Sequence, residues 1–256
     1  MKKHYTVSVF TLLLLGLFTL PVLAQDVDAL LLEAKEKLVA GENSNDQNQI
    51  MEARAMFERA TADEGRRALA HYYMGLAGYR LAGMNPEKDA QLKHLNASIK
   101  QLEKAIKIDE DFVEGIALLG SVIGWKSGLK PMQAMFLGPK ATKLVARANA
   151  LAPDNPRVRL VSAISDYNTP KMFGGDPAQG MLGFQQAADL FAKEEVADPV
   201  MPDWGHAEAY AWLGQGHMAN GASEQARAAF EKALELNPDY GWVKHVLLPK
   251  VADASQ

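Results

Sequence analysis

One 34-residue stretch near the C-terminus, residues 207–240, most constrains what this chain can fold into. It contains two helical patterns joined by a short turn. In that turn, Gly221 suits the left-handed residue that ends a helix, and Ser223 suits the N-cap of the next helix. The stretch therefore predicts a helical hairpin.

The hairpin has a reason to pack tightly. Gly214 and Ala226 are small at the positions where two antiparallel helices would cross, and Leu213 and Phe230 are large enough to fill the space beside that crossing. A single hairpin of this kind leaves an apolar face uncovered, so it needs similar neighbours on at least one side.

The positions that set this spacing are Tyr210, Leu213, Gly214, His217, Ala226, Phe230, Ala233 and the closing Pro238. Together they resemble the tetratricopeptide repeat (TPR) signature, with Tyr210 where the family usually has Trp and His217 where it usually has Tyr. The resemblance implies stacked hairpins in a right-handed superhelix. It also implies that the first helix of each hairpin lines the concave side.

Parts of the same pattern recur upstream, in residues 26–60, 68–112, 114–153 and 155–187. We therefore expect an all-α fold: a right-handed α-solenoid of about five TPR-like hairpins, with a closing helix over residues 241–248. In the first repeat we expect a polar loop at residues 41–48. In the second, Asn85-Pro86 predicts an early start for the second helix.

Two connectors carry unusual residues. Residues 126–139 contain Met132, Met135, Phe136 and Leu137, while Pro131, Gly138 and Pro139 are expected to break any long helix. These apolar residues either pack back on the solenoid, which we favour, or form a lid or partner surface. In the other connector, 168–176, Asp176 and Gln179 predict an N-cap with a capping box. Residues 193–204, with Pro199 and Pro202, are expected to be a linker.

Residues 1–24 differ from the rest of the chain, because Lys2 and Lys3 precede a short apolar run that ends in Val22 and Ala24. This pattern predicts a secretory signal peptide, since the run is shorter than the roughly 20 residues that span a membrane. The mature domain would be 25–256, with no membrane span, and it would be periplasmic or, alternatively, secreted. The chain has no Cys, so we expect neither disulfides nor a lipoprotein anchor.

The charge balance argues against nucleic acid as a partner. Without the two lysines of the predicted signal peptide, 25 basic residues face 31 acidic ones, a net charge of −6. No basic stripe remains in the sequence. We expect no catalytic residues, no metal site and no cofactor, because no zinc, phosphate-loop or nucleophile-elbow motif is present.

The TPR resemblance implies instead a non-enzymatic protein that binds a protein or peptide partner in its concave groove; a small-molecule ligand is also possible. Aligned on the repeat, the candidate binding residues are Tyr72, Leu76, Tyr79, Arg80, Ser121, Trp125, Arg157, Leu160, Ile164, Tyr167, Gln215 and Met218. The aromatic residues would grip the partner. Arg80, Arg157, Lys126, Lys130 and Lys171 could hold its carboxylates at the rim.

A narrower resemblance rests on Phe173-Gly174-Gly175-Asp176 followed by a repeat helix, together with the signal peptide. This combination is similar to the TPR accessory component of TRAP-type solute transporters. It implies an alternative function, a solute-binding or ligand-binding component of a transport system. That component is typically a lipoprotein, whereas this chain lacks the Cys that such an anchor needs.

Overall fold

A computed structural model describes residues 26–254, so the predicted signal peptide lies outside the described residues. Within the described range the chain is helical and contains no strand. The α-helices are α1 (Val27–Ser44), α2 (Gln47–Ala60), α3 (Arg67–Gly83), α4 (Lys88–Ile108), α5 (Val113–Leu129), α6 (Ala134–Leu151), α7 (Pro156–Asn168), α8 (Pro177–Phe191), α9 (His206–Ala219), α10 (Ser223–Leu236) and α11 (Leu248–Ala254).

Consecutive helices pair into five antiparallel hairpins, α1–α2, α3–α4, α5–α6, α7–α8 and α9–α10. Each hairpin packs on the next, and α10 is followed by a π-helical turn, Val243–Leu247, that leads into α11. The cap buries Val243, Leu247 and Val251 against the last hairpin. The predicted fold class, an α-solenoid of five hairpins with a C-terminal capping helix, is confirmed.

The crossing predicted in the last hairpin is also confirmed. A Cβ added at Gly214 would lie 2.3 Å from the ring of Phe230, which is fully buried. Only glycine lets α9 approach α10 this closely, and the aromatic ring fills the space beside it.

Two helix boundaries differ from the sequence expectations because packing extends the helices. The expected polar loop at 41–48 is mostly helix: α1 runs on to Ser44, and α2 begins at Gln47 with Asp46 as its N-cap. Similarly, α6 begins at Ala134 and continues through Pro139. Pro139 lies in the second turn of α6, where its missing N–H removes one backbone hydrogen bond without ending the helix.

Two expected caps are wrong. Asn85 does not cap α4, which begins three residues later; its side-chain amide instead donates to the carbonyl of Leu81 at 2.7 Å. Ser223 is the first residue of α10 rather than its N-cap. By contrast, Asp176 accepts two backbone N–H bonds at the start of α8, as expected, and Asn155 does the same at the start of α7.

The capping box expected at α8 does not form, because the backbone N–H of Asp176 donates to the carbonyl of Asp166 at 2.9 Å. Gly221 does adopt the expected left-handed backbone, with φ of 73°. Of the local turn and cap signals, those at Asp176 and Gly221 are therefore realised, whereas those at Asn85 and Ser223 are not.

The largest departure from expectation is the segment between α8 and α9, residues 192–205, which we call the inserted segment. It folds back across the first helices of the solenoid rather than linking two repeats along its surface. Val200 is 1% exposed and belongs to the core of the first three hairpins. Its carbonyl accepts a hydrogen bond from the Tyr73 hydroxyl at 2.7 Å.

The inserted segment is also fixed to α1. The Lys35 ammonium donates to the carbonyls of Pro199 and Met201 at 2.5 and 2.8 Å, and it lies 3.1 Å from a carboxylate oxygen of Asp203. Nearby, the side-chain amides of Asn43 and Asn237 bond to each other in both directions, at 3.3 and 3.0 Å. The first hairpin thus meets the end of the last one, and the solenoid closes on itself.

Candidate functional site

The inserted segment divides the expected concave face into two parts. Four of the predicted binding residues, Tyr72, Leu76, Arg157 and Leu160, are between 0 and 3% exposed. The Trp204 indole N–H donates to the Tyr72 hydroxyl at 2.6 Å, so the segment lies directly on this wall. In this structure these four side chains belong to the interior and offer almost no accessible surface to a partner.

Arg157 has an internal carboxylate partner. Its guanidinium makes a two-bond ion pair with Glu194, and it also donates to the carbonyl of Trp204 at 3.3 Å. Glu194 and Trp204 both lie in the inserted segment, so their bonds with Arg157 fix that segment to α7. Charge-assisted bonds raise the pKa of the Arg157 guanidinium although burial opposes them.

Arg80 is occupied in the same way. It donates to Glu208 at 2.8 Å, lies 3.3 Å from Glu42 and stacks over the ring of Trp204. The Arg80 Nε–Glu42 contact has ion-pair distance but not hydrogen-bond direction, so Glu208 is the stronger partner. Both arginines expected to bind a partner's carboxylates therefore join distant repeats of this chain.

What remains accessible of the concave face lies toward the C-terminal ends of the first helices. The half-buried residues there, which we call the open strip, are Tyr79 on α3, Ser121 and Trp125 on α5, Ile164 and Tyr167 on α7, and Gln215 and Met218 on α9. The strip crosses four consecutive repeats. Its seven members were all predicted from the repeat alignment, and their role in binding stays a prediction.

Rings and hydroxyls give the strip a fixed shape. The Tyr79 and Trp125 rings meet edge to face, with centroids 5.6 Å apart, and Tyr167 packs on Phe184 of α8 at 5.6 Å. The Tyr79 hydroxyl is hydrogen-bonded to Ser121, and burial raises its pKa. The strip thus presents rigid aromatic surface, which binding surfaces favour, beside the side chain of Gln215, whose amide nitrogen is buried without a hydrogen-bond partner among the described residues.

The two connectors at the edge of the strip are exposed. Met132, Met135 and Phe136 do not pack back on the solenoid as we favoured, because they are between 73 and 94% exposed. Leu137 alone of that set packs against the core. The 168–176 connector holds a 3-10 turn, Lys171–Phe173, in which Met172 and Phe173 are also exposed.

A second concave feature lies where the ends of the solenoid meet. A cleft of about 790 Å³ is bordered by α1, the inserted segment and the residues after α10. Four charged side chains of the cleft form ion pairs with each other: Lys35 pairs with Asp203, and Lys244 pairs with Asp239 at 3.2 Å. Sequence reasoning missed this cleft because it depends on the closure of the solenoid.

Two of the histidines within the described range have clear packing roles. The His71 Nδ1 is hydrogen-bonded to Gln101 Oε1 at 2.9 Å. His206 lies between the rings of Phe191 and Tyr210. Burial lowers the pKa of both imidazoles. Residues 26–254 contain no group of three His, Cys, Asp or Glu side chains placed to hold a metal ion. None of the helices in that range has the length and apolar character to cross a membrane.

The inserted segment carries the residues that sequence reasoning missed. Val200 and Trp204 contact the wall directly, and Glu194 neutralises Arg157. The signal for them was present, since apolar Val200, Met201 and Trp204 alternate with two prolines in a stretch expected to be a linker. Such an apolar cluster must be buried, but the residues against which it packs, Tyr72 and Tyr73, lie more than a hundred residues away in the chain.

Comparison with known proteins supports the repeat interpretation. Residues 207–240 match the tetratricopeptide repeat family model. A thermophilic TPR protein from Thermus thermophilus has a similar structure, with a TM-score of 0.57, 16% identity, 87% of this chain covered and 98% of the other. The HusA haemophore from Porphyromonas gingivalis is similar with the same TM-score, 22% identity, 73% of this chain covered and 92% of the other. A search of curated proteins found no match.

The resemblance to TRAP-type accessory components gains no support from these matches and stays a prediction. The matched repeat at residues 207–240, the five stacked hairpins and the fold of the solved TPR protein agree with one another. On that evidence, residues 207–240 form a tetratricopeptide repeat, and the chain has the fold of a TPR-like solenoid.

Proposed function

We propose that this protein is an exported, non-enzymatic TPR module that binds a segment of a partner protein along the open strip. TPR repeats support a protein–protein interaction role. We choose this surface because Trp204 and Val200 cover the inner wall. The C-terminal halves of α3, α5, α7 and α9 then remain for contact with a partner. The predicted signal peptide supports a periplasmic location.

The strip suits an extended or helical partner segment rather than a flat protein surface. It follows four first helices, and its aromatic members are half-buried, so they lose little conformational entropy on binding. No acidic or basic side chain belongs to the strip itself. We therefore expect the bound segment to be mainly apolar, with polar groups that reach Gln215 and Ser121.

The test is affinity capture from a periplasmic extract, followed by affinity measurement with the captured partner. Trp125→Ala and Tyr167→Ala should each weaken binding about 30-fold, as loss of an interface anchor does. Met51→Ala and Leu236→Ala, which alter exposed residues on second helices, are matched controls and should bind normally. Unchanged capture by both strip variants, with normal thermal unfolding, would remove the basis of the proposal.

A further inference from the structure

The most exposed large apolar side chains of residues 27–251 lie at two turns between helices, one of which continues into the first turn of α6. Elsewhere in that range, exposure of such side chains does not exceed the 56% of Leu182. It is 94% for Met132 in the turn after α5, 73% for Met135 and 74% for Phe136 in the first turn of α6, and 83% for Met172 and 67% for Phe173 in the turn after α7. We call these five residues the apolar edge.

The two turns lie on the same edge of the solenoid. Each joins the first helix of a hairpin to its second helix, and the hairpins α5–α6 and α7–α8 are neighbours in the stack. Because the first helices run in one direction, their C-terminal ends and the turns that follow them lie side by side. The apolar edge thus belongs to one surface.

Helical geometry holds these side chains away from the protein. Met132 lies in the 3-10 turn Pro131–Gln133, and Met172 lies in the 3-10 turn Lys171–Phe173. A Cβ placed on Gly174 would find no atom within 4 Å, so the second turn stands clear of its surroundings. The side chains of the apolar edge therefore protrude into solvent, with 67–94% of their surface exposed.

The charge around the apolar edge is opposite to that of the whole chain. The protein has a formal net charge of −4, yet residues 115–153 contain no Asp or Glu. They contain five basic residues: Lys126, Lys130, Lys140, Lys143 and Arg147. Lys140 and Arg147 pair with Glu103 and Asp111. By contrast, no ion pair among the described residues involves Lys126 or Lys130, near the C-terminal end of α5, or Lys171, in the turn after α7.

The nearest carboxylates on these connectors are already engaged. Asp176 accepts two N–H bonds at the start of α8, and its neighbour Asp166 is half-buried. Burial and the charge of Asp176 raise the pKa of Asp166. The two acids thus weaken, without cancelling, the positive potential of three lysines.

We propose that the apolar edge docks the protein on an anionic lipid membrane surface. Protruding Met and Phe side chains enter the boundary between headgroups and acyl chains, while Lys126, Lys130 and Lys171 lie at the level of the headgroups. A second copy of this chain is a poorer occupant, because a symmetric contact would bring the same lysines face to face. A folded partner would need cavities for five separate side chains, whereas a lipid surface deforms around them.

Vesicle sedimentation tests the proposal on the exported protein. Binding should require phosphatidylglycerol mixed into phosphatidylcholine, and it should weaken as salt is added. Replacing Lys126, Lys130 and Lys171 together with Gln should weaken binding about 100-fold, at roughly fivefold per lysine. The matched control changes three exposed lysines on the opposite edge, Lys104, Lys107 and Lys193, to Gln, and we expect it to bind within about twofold of wild type.

A second set of variants tests the apolar contribution. Phe136→Ser with Phe173→Ser should reduce binding at least about tenfold, because two buried aromatic contacts are lost. Ile108→Ser with Leu151→Ser, at the C-terminal ends of α4 and α6, is the control and should have little effect. Since the chain has no Cys, a fluorophore on Phe173→Cys should report an apolar environment on vesicles, while one on Ile108→Cys should not.

Several results would overturn the proposal. One is equal binding to vesicles with and without phosphatidylglycerol; another is binding that the edge variants leave unchanged. Absence of vesicle binding together with a dimer that Phe136→Ser abolishes would assign the edge to a second copy instead. Absence of vesicle binding together with an edge-dependent protein complex would assign it to a protein partner.

Discussion

The buried guanidinium of Arg80 lies between two carboxylates, Glu42 and Glu208, and it can neutralise only one. Glu208 holds the hydrogen bond at 2.8 Å, whereas Glu42 has only the longer contact of 3.3 Å. Burial and the neighbouring Glu208 raise the pKa of the Glu42 carboxyl, although Arg80 opposes them. Beside this cluster lie the half-buried Tyr79 and the buried Tyr240, and desolvation raises the pKa of both hydroxyls.

This arrangement predicts a specific dependence on pH. Because the pKa of Glu42 is higher in the folded state, folding binds its proton more tightly, and stability falls as pH rises through and above its ordinary pKa of 4.5. Glu42→Gln should remove that loss. In urea unfolding, the free energy of unfolding should fall less between pH 5 and pH 8 in the variant than in wild type.

Glu208→Gln is the contrasting variant. It removes the hydrogen-bonded partner of a buried arginine, and we expect a loss of about 3 kcal/mol at pH 7. If both variants destabilised equally and kept the wild-type pH profile, the assignment of Glu42 as the weaker partner would be wrong.

Single residues also mark where sequence reasoning worked. Asp176 was predicted as an N-cap and is one; Asn155, which like Asp176 lies directly before a Pro at the first helical position, caps α7 in the same way. Asn85 carries the same signal and fails, because its amide finds the carbonyl of Leu81 and the side chain of Gln47 instead. A cap signal is local, and a nearby acceptor can take its side chain.

At the scale of elements, close helix crossings decide which small residues are required. A Cβ on Gly183 of α8 would lie 2.7 Å from the Cβ and 3.3 Å from the Cα of Ala163 on α7. A Cβ on Gly124 of α5 would lie 3.8 Å from Ala141, an ordinary contact. The two glycines look alike in sequence, and only the crossing distinguishes them.

The pair gives opposite predictions for the same substitution. Gly183→Ala should destabilise the protein by about 1–3 kcal/mol, because α7 and α8 must separate. Gly124→Ala should stabilise it by about 0.5–1 kcal/mol, because the helix gains propensity without a clash. Thermal and urea unfolding measure both, and a stabilising Gly183→Ala would show that the crossing is looser than the structure indicates.

For the whole molecule, the inserted segment is the element that joins the repeats. It binds α1 through Lys35, α3 through Tyr72 and Tyr73, and α7 through Arg157. An ordinary solenoid repeat contacts only its neighbours, and its stability is close to a sum over repeats. Here the segment couples the first hairpin to the fourth, so we expect the chain to unfold more cooperatively than its repeats alone would.

Lys35 provides the test of that coupling. Lys35→Met leaves the carbonyls of Pro199 and Met201 without a donor, and we expect a loss of about 2–3 kcal/mol. Amide hydrogen exchange should accelerate in residues 193–204 as well as in α1. Lys37→Met, two residues along the same helix, removes only an exposed pair with Glu52, and it should destabilise the protein much less than Lys35→Met does. Faster exchange confined to α1 would contradict the coupling.

The sequence by itself determined the hairpins, their number and their order. Gly214, Ala226 and Phe230 encode a crossing that is local to one hairpin, and such short-range patterns can be recognised along the chain. The sequence also predicted the seven residues of the open strip, because they occupy equivalent positions in successive repeats. Only the tertiary structure decided which part of the concave face is covered, since the contact between Trp204 and Tyr72 joins residues far apart in sequence. No local pattern encodes such a contact, because its free energy depends on the closure of the whole solenoid.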